Sequence, residues 1–223
     1  MRWVGYGLNA LRQGAVRRSV ERTGETVRLG LQRVWKGAGD AALVHETVWT
    51  LTEDGAQIAE RLHVPEQWHD LPRIGIRFEV PAHFDQLDWL GLGPDESYPD
   101  RKAAQTFGQW QSSLADQYHP FARPQEHGNH EDVRRFSLRS DAGQGLQISF
   151  PRPLAFTARL HHDVALNAAQ TLADLAMAET AEIHIDAGTR GLGTGACGPD
   201  VLGPYKVDGG VYAFDWTLRC LKE

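Results

Sequence analysis

An all-β fold of packed antiparallel sheets is predicted for this chain by three observations. Apolar residues recur with period two far more than with period 3.6, turn-forming residues fall between the alternating runs, and only one segment has helix chemistry. In chain order, Val27, Leu29 and Leu31 alternate with polar or small residues and predict a half-buried strand. Asp54-Gly55 supplies a turn. Ile74, Ile76, Phe78 and Val80 then alternate with Arg73, Gly75, Arg77 and Glu79, a second strand with one wet face. Trp89 and Leu90 close a further apolar strand, and Asp141-Ala142-Gly143 is a reversal. Thr171 to Ala178 is rich in helix formers, and Thr171 with Asp174 resembles an N-terminal capping pair, which predicts one short helix. Asp208-Gly209-Gly210 turns the chain into a last strand carrying Tyr212, Phe214, Trp216 and Leu218. With no internal repeat, low-complexity tract or linker, residues 1–223 read as one domain.

Composition excludes several classes. The 223 residues are 41% hydrophobic, enough for a substantial core. A net charge of −6, without any sustained Lys/Arg block, argues against a nucleic-acid or anionic-membrane partner; Arg12, Arg17 and Arg18 read as a solvated edge. No apolar stretch approaches the roughly 20 residues that span a bilayer, and no secretory signal core opens the chain, so the cytoplasm is the expected location. Cys197 and Cys220 form neither a C-x-x-C motif nor a disulfide framework, and read as free thiols in a reducing compartment. The seven Trp residues suit a strand core better than a set of sugar platforms.

The densest local chemistry is the run Trp89 to Arg101, W-L-G-L-G-P-D-E-S-Y-P-D-R. Gly91 and Gly93 suggest backbone angles other residues resist, Pro94, Asp95 and Pro99 enforce an irregular loop, and Asp100 beside Arg101 suggests a local ion pair. The run resembles a signature of the C-terminal domain of large multi-domain β-galactosidases, the part also encoded separately as a small chain. Asp116 to Phe121, then Arg123-Pro124-Gln125-Glu126-His127-Gly128-Asn129 and Asp132-Val133-Arg134, resemble that family's Y-x-x-P-Q-E-N-G stretch, with His127 where Asn is usual. His184-Ile185-Asp186 and Gly191 to Asp200 resemble its closing strand and Gly-rich loop, so the resemblance covers roughly residues 70 to 220.

The resemblance implies a large twisted antiparallel β-sandwich of the galactose-mutarotase type, a supersandwich. It also implies an accessory role in hydrolysing terminal β-D-galactosides such as lactose. A retaining glycosidase needs two carboxyl groups about 5 Å apart. In the family these lie in a central barrel domain, and no alternating strand–helix pattern of that length exists here, so no catalytic residue is assigned and the chain alone is not expected to hydrolyse lactose. The implied partners are that catalytic barrel or large chain and a galactoside; no cofactor or metal is implied for this part, and an oligomer is compatible with it. A loop near the end of the domain reaches the sugar pocket in the family, in some members with a Trp platform. Here it reads Gly195-Ala196-Cys197-Gly198-Pro199-Asp200 without Trp, which leaves Cys197, Gly198, Pro199, Asp200 and Tyr205 as substrate-binding candidates.

The histidines offer rival chemistry. His161 and His162 beside Asp163 point to opposite faces if they lie on a strand, so they do not share one metal. His184 and Asp186 face the same way and suggest an ordinary hydrogen-bonded pair. Glu126 and His127 are the residue types that act as base and acid at a sugar anomeric centre, so an aldose-epimerase-like or carbohydrate-binding protein is the alternative; against it, Glu126 can simply cap backbone N–H groups or pair with Arg134. In the family, further strands and a W-R-A-P-T-D-N-D type segment precede the part resembling Trp3 to Leu11, whereas this sequence starts at Met1. The expectation is a fragment of a longer β-galactosidase with exposed sheet edges, poor stability alone or association with another chain.

Overall fold

The computed structural model describes residues 2–195 and 197–222. Eleven strands are found among them: β1 (Arg12–Thr23), β2 (Thr26–Lys36), β3 (Ala42–Thr52), β4 (Gly55–Val64), β5 (Arg73–Pro81), β6 (Gln86–Gly93), β7 (Thr106–Ser113), β8 (Asn129–Arg139), β9 (Gly145–Arg159), β10 (Thr180–Thr189) and β11 (Gly210–Leu221). All pairs are antiparallel, in the order β1-β2-β3-β4-β11-β9-β8-β6-β7, with a branch in which β9 also pairs β10 and β10 pairs β5. The all-β expectation holds, and the three alternating runs become β2, β5 and β11.

The branch is written into β9. Its first part pairs β11 from Gly145 to Ser149 and its last part pairs β10 from Ala155 to Arg159. Between these partners lie Pro151 and Pro153, which have no N–H to donate and so sit where no ladder is needed on that side. The branch folds β5 over the main sheet, and Phe78 stacks on Trp216 with ring centroids 6.0 Å apart. The core between the layers holds Ile58, Leu62, Phe156, Ile183 and Ile185. Trp68, Trp89 and Trp216 are buried with it, whereas Trp3 is 39% exposed. At the far edge β1 is exposed almost throughout, so Arg12, Arg17 and Arg18 are a solvated edge as expected.

Two local expectations are corrected. The Thr171–Asp174 capping box forms, but it caps only a single 3₁₀ turn, Leu172–Asp174. The segment buries no apolar face there, with Leu172 45% and Met177 62% exposed, and the N–H of Ala178 is taken by the Leu160 carbonyl at the end of β9. Helix instead occurs at α1 (Arg2–Gly5) and α2 (Asp163–Ala168), both too short to show a period. In the run from Trp89, strand β6 continues through Gly91 to Gly93, so these glycines serve space rather than unusual backbone angles. A Cβ at Gly91 would lie 2.7 Å from Val133 Cγ2 and 2.9 Å from its Cα. Gly91→Ala is therefore expected to cost about 1–3 kcal/mol through overpacking against β8, seen as a lower urea midpoint at unchanged slope.

Candidate functional site

Residues 190–209 join β10 to β11, and Gly191, Gly193, Gly195, Gly198 and Pro199 keep the first half from forming a strand or helix. Ala196 lies outside the described residues. What fixes this loop is the run from Trp89. The Asp100 carboxylate accepts the N–H groups of Leu192 (2.9 Å) and Gly193 (2.7 Å), and Gly191 is required because a Cβ there would come within 2.6 Å of that carboxyl group. Arg190 donates to Asp70 (2.7 Å) and to Asp200 (2.7 Å), tying the start of the loop to its far side. Hydrogen bonds from Arg190 and the Val201 N–H hold the Asp200 carboxyl below the usual range. Inside the loop the Thr194 N–H and hydroxyl both donate to the Pro199 carbonyl. The result is an exposed tip of Cys197, Gly198, Pro199 and Asp200, with half-buried Tyr205 at the base, its carbonyl accepting the Gly191 N–H.

The local Asp100–Arg101 pair anticipated from adjacency does not form. Arg101 pairs with Glu96 instead, which frees Asp100 for the loop. Asp100→Ala is expected to release the tip while leaving global stability within about 1–3 kcal/mol of the parent, since two charge-assisted bonds are lost at a partly solvated position. A spin label on Cys197, with Cys220→Ser to remove the other exposed thiol, should change from an ordered to a mobile spectrum. An unchanged spectrum would show that the remaining contacts suffice.

The second cluster lies on the polar face of β10. Glu182, His184 and Asp186 alternate with Ala181, Ile183 and Ile185, so one face enters the core and the other carries charge. Arg159 of β9 is 1% exposed and reaches Glu126 (3.2 Å), Glu182 (3.3 Å), Asp163 and the His127 carbonyl (3.3 Å). Arg73 joins Glu126 (3.0 Å) to Asp186 (3.4 Å), and Arg77 pairs with Glu182. Burial pushes the Glu126 carboxyl up, but the Arg73 and Arg159 guanidiniums outweigh it and hold it below the usual range. Glu182 is likewise depressed, its burial overcome by His184, the Asp163 N–H and Arg77. Asp186 is the exception: burial dominates the pull of Arg73 and raises its pKa.

The neighbouring residues depart from their sequence-based pairings. Glu126 pairs with Arg73 and Arg159 rather than Arg134, which lies over the Phe107 ring. His184 bonds Glu182 (3.1 Å) and not Asp186. His161 and His162 follow the end of β9 rather than lying on a strand, the first against the Tyr118 ring and the second on the Thr180 carbonyl. Asp163 meets Glu182 and His184, with candidate ligand atoms within 4.8 Å of one another. The guanidiniums of Arg159 and Arg77 already supply the positive charge these carboxylates require. His127 is 1% exposed, with Nδ1 on the Gln125 carbonyl (2.9 Å), and burial lowers its pKa so that it is neutral near pH 7. The cluster is thus a clamp in which Glu126 is an ionised acceptor held by two cations. Arg73, Arg159, Glu182 and the anchoring role of Asp100 went unrecognised in the sequence. The strict polar alternation at 182, 184 and 186 was the signal available for the buried charges.

No helix among the described residues is long and apolar enough to cross a membrane. Residues 2–218 match the family model described as Beta galactosidase small chain. The β-galactosidase of Arthrobacter sp. (strain B7) is 37% identical over 164 residues, 70% of this chain and 16% of that protein. The β-galactosidase of Kluyveromyces lactis is 30% identical over 149 residues, 67% of this chain and 14% of that protein. The chain thus matches only a small part of these relatives' length. A solved structure of a galactose mutarotase-like protein from Lactobacillus casei aligns over 91% of this chain and 72% of its own, with 10% identity and a TM-score of 0.39. The match across nearly the whole sequence makes this chain a member of the beta galactosidase small chain family.

Proposed function

We propose that residues 1–223 form one accessory, non-catalytic domain of a β-galactosidase. It works with a catalytic portion lying outside these residues, and the tip Cys197 to Asp200 completes the pocket for a terminal β-D-galactoside. The observation that carries this reading is the loop itself: an exposed tip held by the half-buried Asp100 carboxylate is preorganised to meet something beyond the domain. Preorganisation supports a contact surface, because the entropy of ordering the loop is lost on folding rather than on binding. Two exposed free thiols fit work in the reducing cytoplasm.

The test is complementation. The Arthrobacter β-galactosidase, expressed without the segment that matches this chain, is mixed with the purified chain and lactose hydrolysis is followed. Hydrolysis that needs both components supports the accessory role. Interconversion of galactose anomers by the chain alone would replace it with an epimerase centred on Glu126 and His127. Neither activity, combined with saturable galactose binding, would make it a carbohydrate-binding module.

A further inference from the structure

The apolar face between β5 and the β2-β3-β4-β11 sheet is not closed. A cavity of about 870 Å³ lies there, walled by Trp35, Trp49, Leu62 and Trp216 on one side and by β5 on the other. Every residue from Leu71 to Phe78 borders it, not only alternate ones. Arg73 and Arg77 direct their side chains to Glu126 and Glu182 on the opposite face, so at those positions the backbone itself forms the wall. Among the described residues β5 is strand-paired on one side only, to β10. The cavity therefore lies along an unpaired strand edge.

Among the described residues the sheet has three unpaired ends, β1, β7 and β5, and β1 and β5 are built differently. β1 carries Arg12, Arg17, Arg18, Glu21 and Arg22 in an almost fully exposed strand, the usual protection against edge pairing. On β5 the charged residues Arg73, Arg77 and Glu79 alternate with Ile74, Ile76 and Phe78, and it is the apolar set that faces the open trough. We propose that this edge takes up an extended segment of the catalytic portion of the β-galactosidase, which adds a strand to β5 and fills the cavity with its alternate side chains. This rests on the accessory reading above. The occupant's chemistry follows from the walls. It is about eight residues long, the length that pairs with Arg73 to Val80 of β5, with bulky apolar residues at alternate positions. The one buried carboxylate on the wall, Glu60, is already engaged by Thr47 (2.7 Å), His45 (2.7 Å) and Trp216 (3.3 Å), so the cavity asks for no polar group there. Arg33 also lines the cavity and has no carboxylate within 4 Å among the described residues, so an acidic residue of the segment belongs beside it. In the relatives the matched part is at most 16% of one polypeptide, so ample chain exists to supply such a strand.

Hydrogen exchange read by mass spectrometry, on the chain alone and mixed with the truncated Arthrobacter enzyme, tests this. Amides of residues 73–80 should exchange at least tenfold more slowly in the mixture, and Ile76→Lys should reduce restored hydrolysis at least tenfold with an unchanged circular dichroism spectrum. If that variant does not fold, exchange in the parent chain decides. Restored hydrolysis with β5 exchanging as it does alone would overturn the proposal and leave the accessory role standing. Absence of any complex would overturn both. Protection of β5 in the chain alone, together with a dimer in sedimentation, would assign the edge to a second copy and overturn it as well.

Discussion

Replacing Arg159 by Met is expected to cost about 3–5 kcal/mol at pH 7. The side chain is 1% exposed and its guanidinium holds Glu126, Glu182, Asp163 and the His127 carbonyl together. Methionine keeps most of the volume, so the loss reports stranded carboxylates rather than a cavity. Glu182 suffers most because it is wholly buried and cannot turn to solvent; Asp163 and Glu126 are partly exposed and recover some hydration. Arg159→Lys should be intermediate, since one ammonium cannot reproduce a planar fork that bonds in several directions. The sign of the pH dependence follows from the depressed carboxyls. Glu126 and Glu182 have folded pKa values below their ordinary ones, so they stabilise the fold above about pH 4.5, and that contribution fades as pH falls toward the folded values. The parent and Arg159→Met should therefore differ most at pH 7 and converge below pH 4.5. Urea unfolding at pH 7 and at about pH 3 measures this, and an equal gap at each would show that packing, not charge, carries the effect.

The strands were legible because period two survives wherever one face is apolar. β5 and β11 show it without interruption, and the prolines of β9 mark where its partners change. The helix at 171–178 was misread because capping chemistry is local, whereas helix survival depends on a buried face that Leu172 and Met177 do not find. The site was legible only in part. The runs at Trp89 and Gly191 each announced an irregular loop, but their junction through Asp100 spans 92 residues of sequence and has no local signature. Nearness in sequence misled in three pairs: Asp100 with Arg101, Glu126 with Arg134, and His184 with Asp186. Glu126 found its partners on β5 and β9, whereas Arg101 turned to Glu96 within the same loop and His184 to Glu182 on the same strand.

His130 gives the second large effect, and it acts through acid rather than through mutation alone. Its ring lies 4.4 Å from Trp89 and stacks on Phe156, and the residue is 1% exposed, with Nε2 at 2.7 Å from Gln117 Oε1. Burial pushes its pKa down to about 4, only partly opposed by the Leu92 carbonyl. The unfolded chain binds a proton there near pH 6.5, whereas the folded chain binds it only near pH 4. Above pH 6.5 both forms are neutral and the group does not affect stability. As pH falls from 6.5 to 4 the unfolded state gains a proton the folded state refuses, and stability falls by about 3 kcal/mol. His130→Gln keeps a polar partner for Gln117 and removes the titration, so its urea midpoint should decline much less between pH 7 and pH 4.5 than that of the parent. His127 and His161 are also depressed by burial and add losses of the same sign, but they are present in both proteins and cancel from the comparison. Parallel declines in parent and variant would place the acid sensitivity in those residues and return His130 to an ordinary packing role against Trp89.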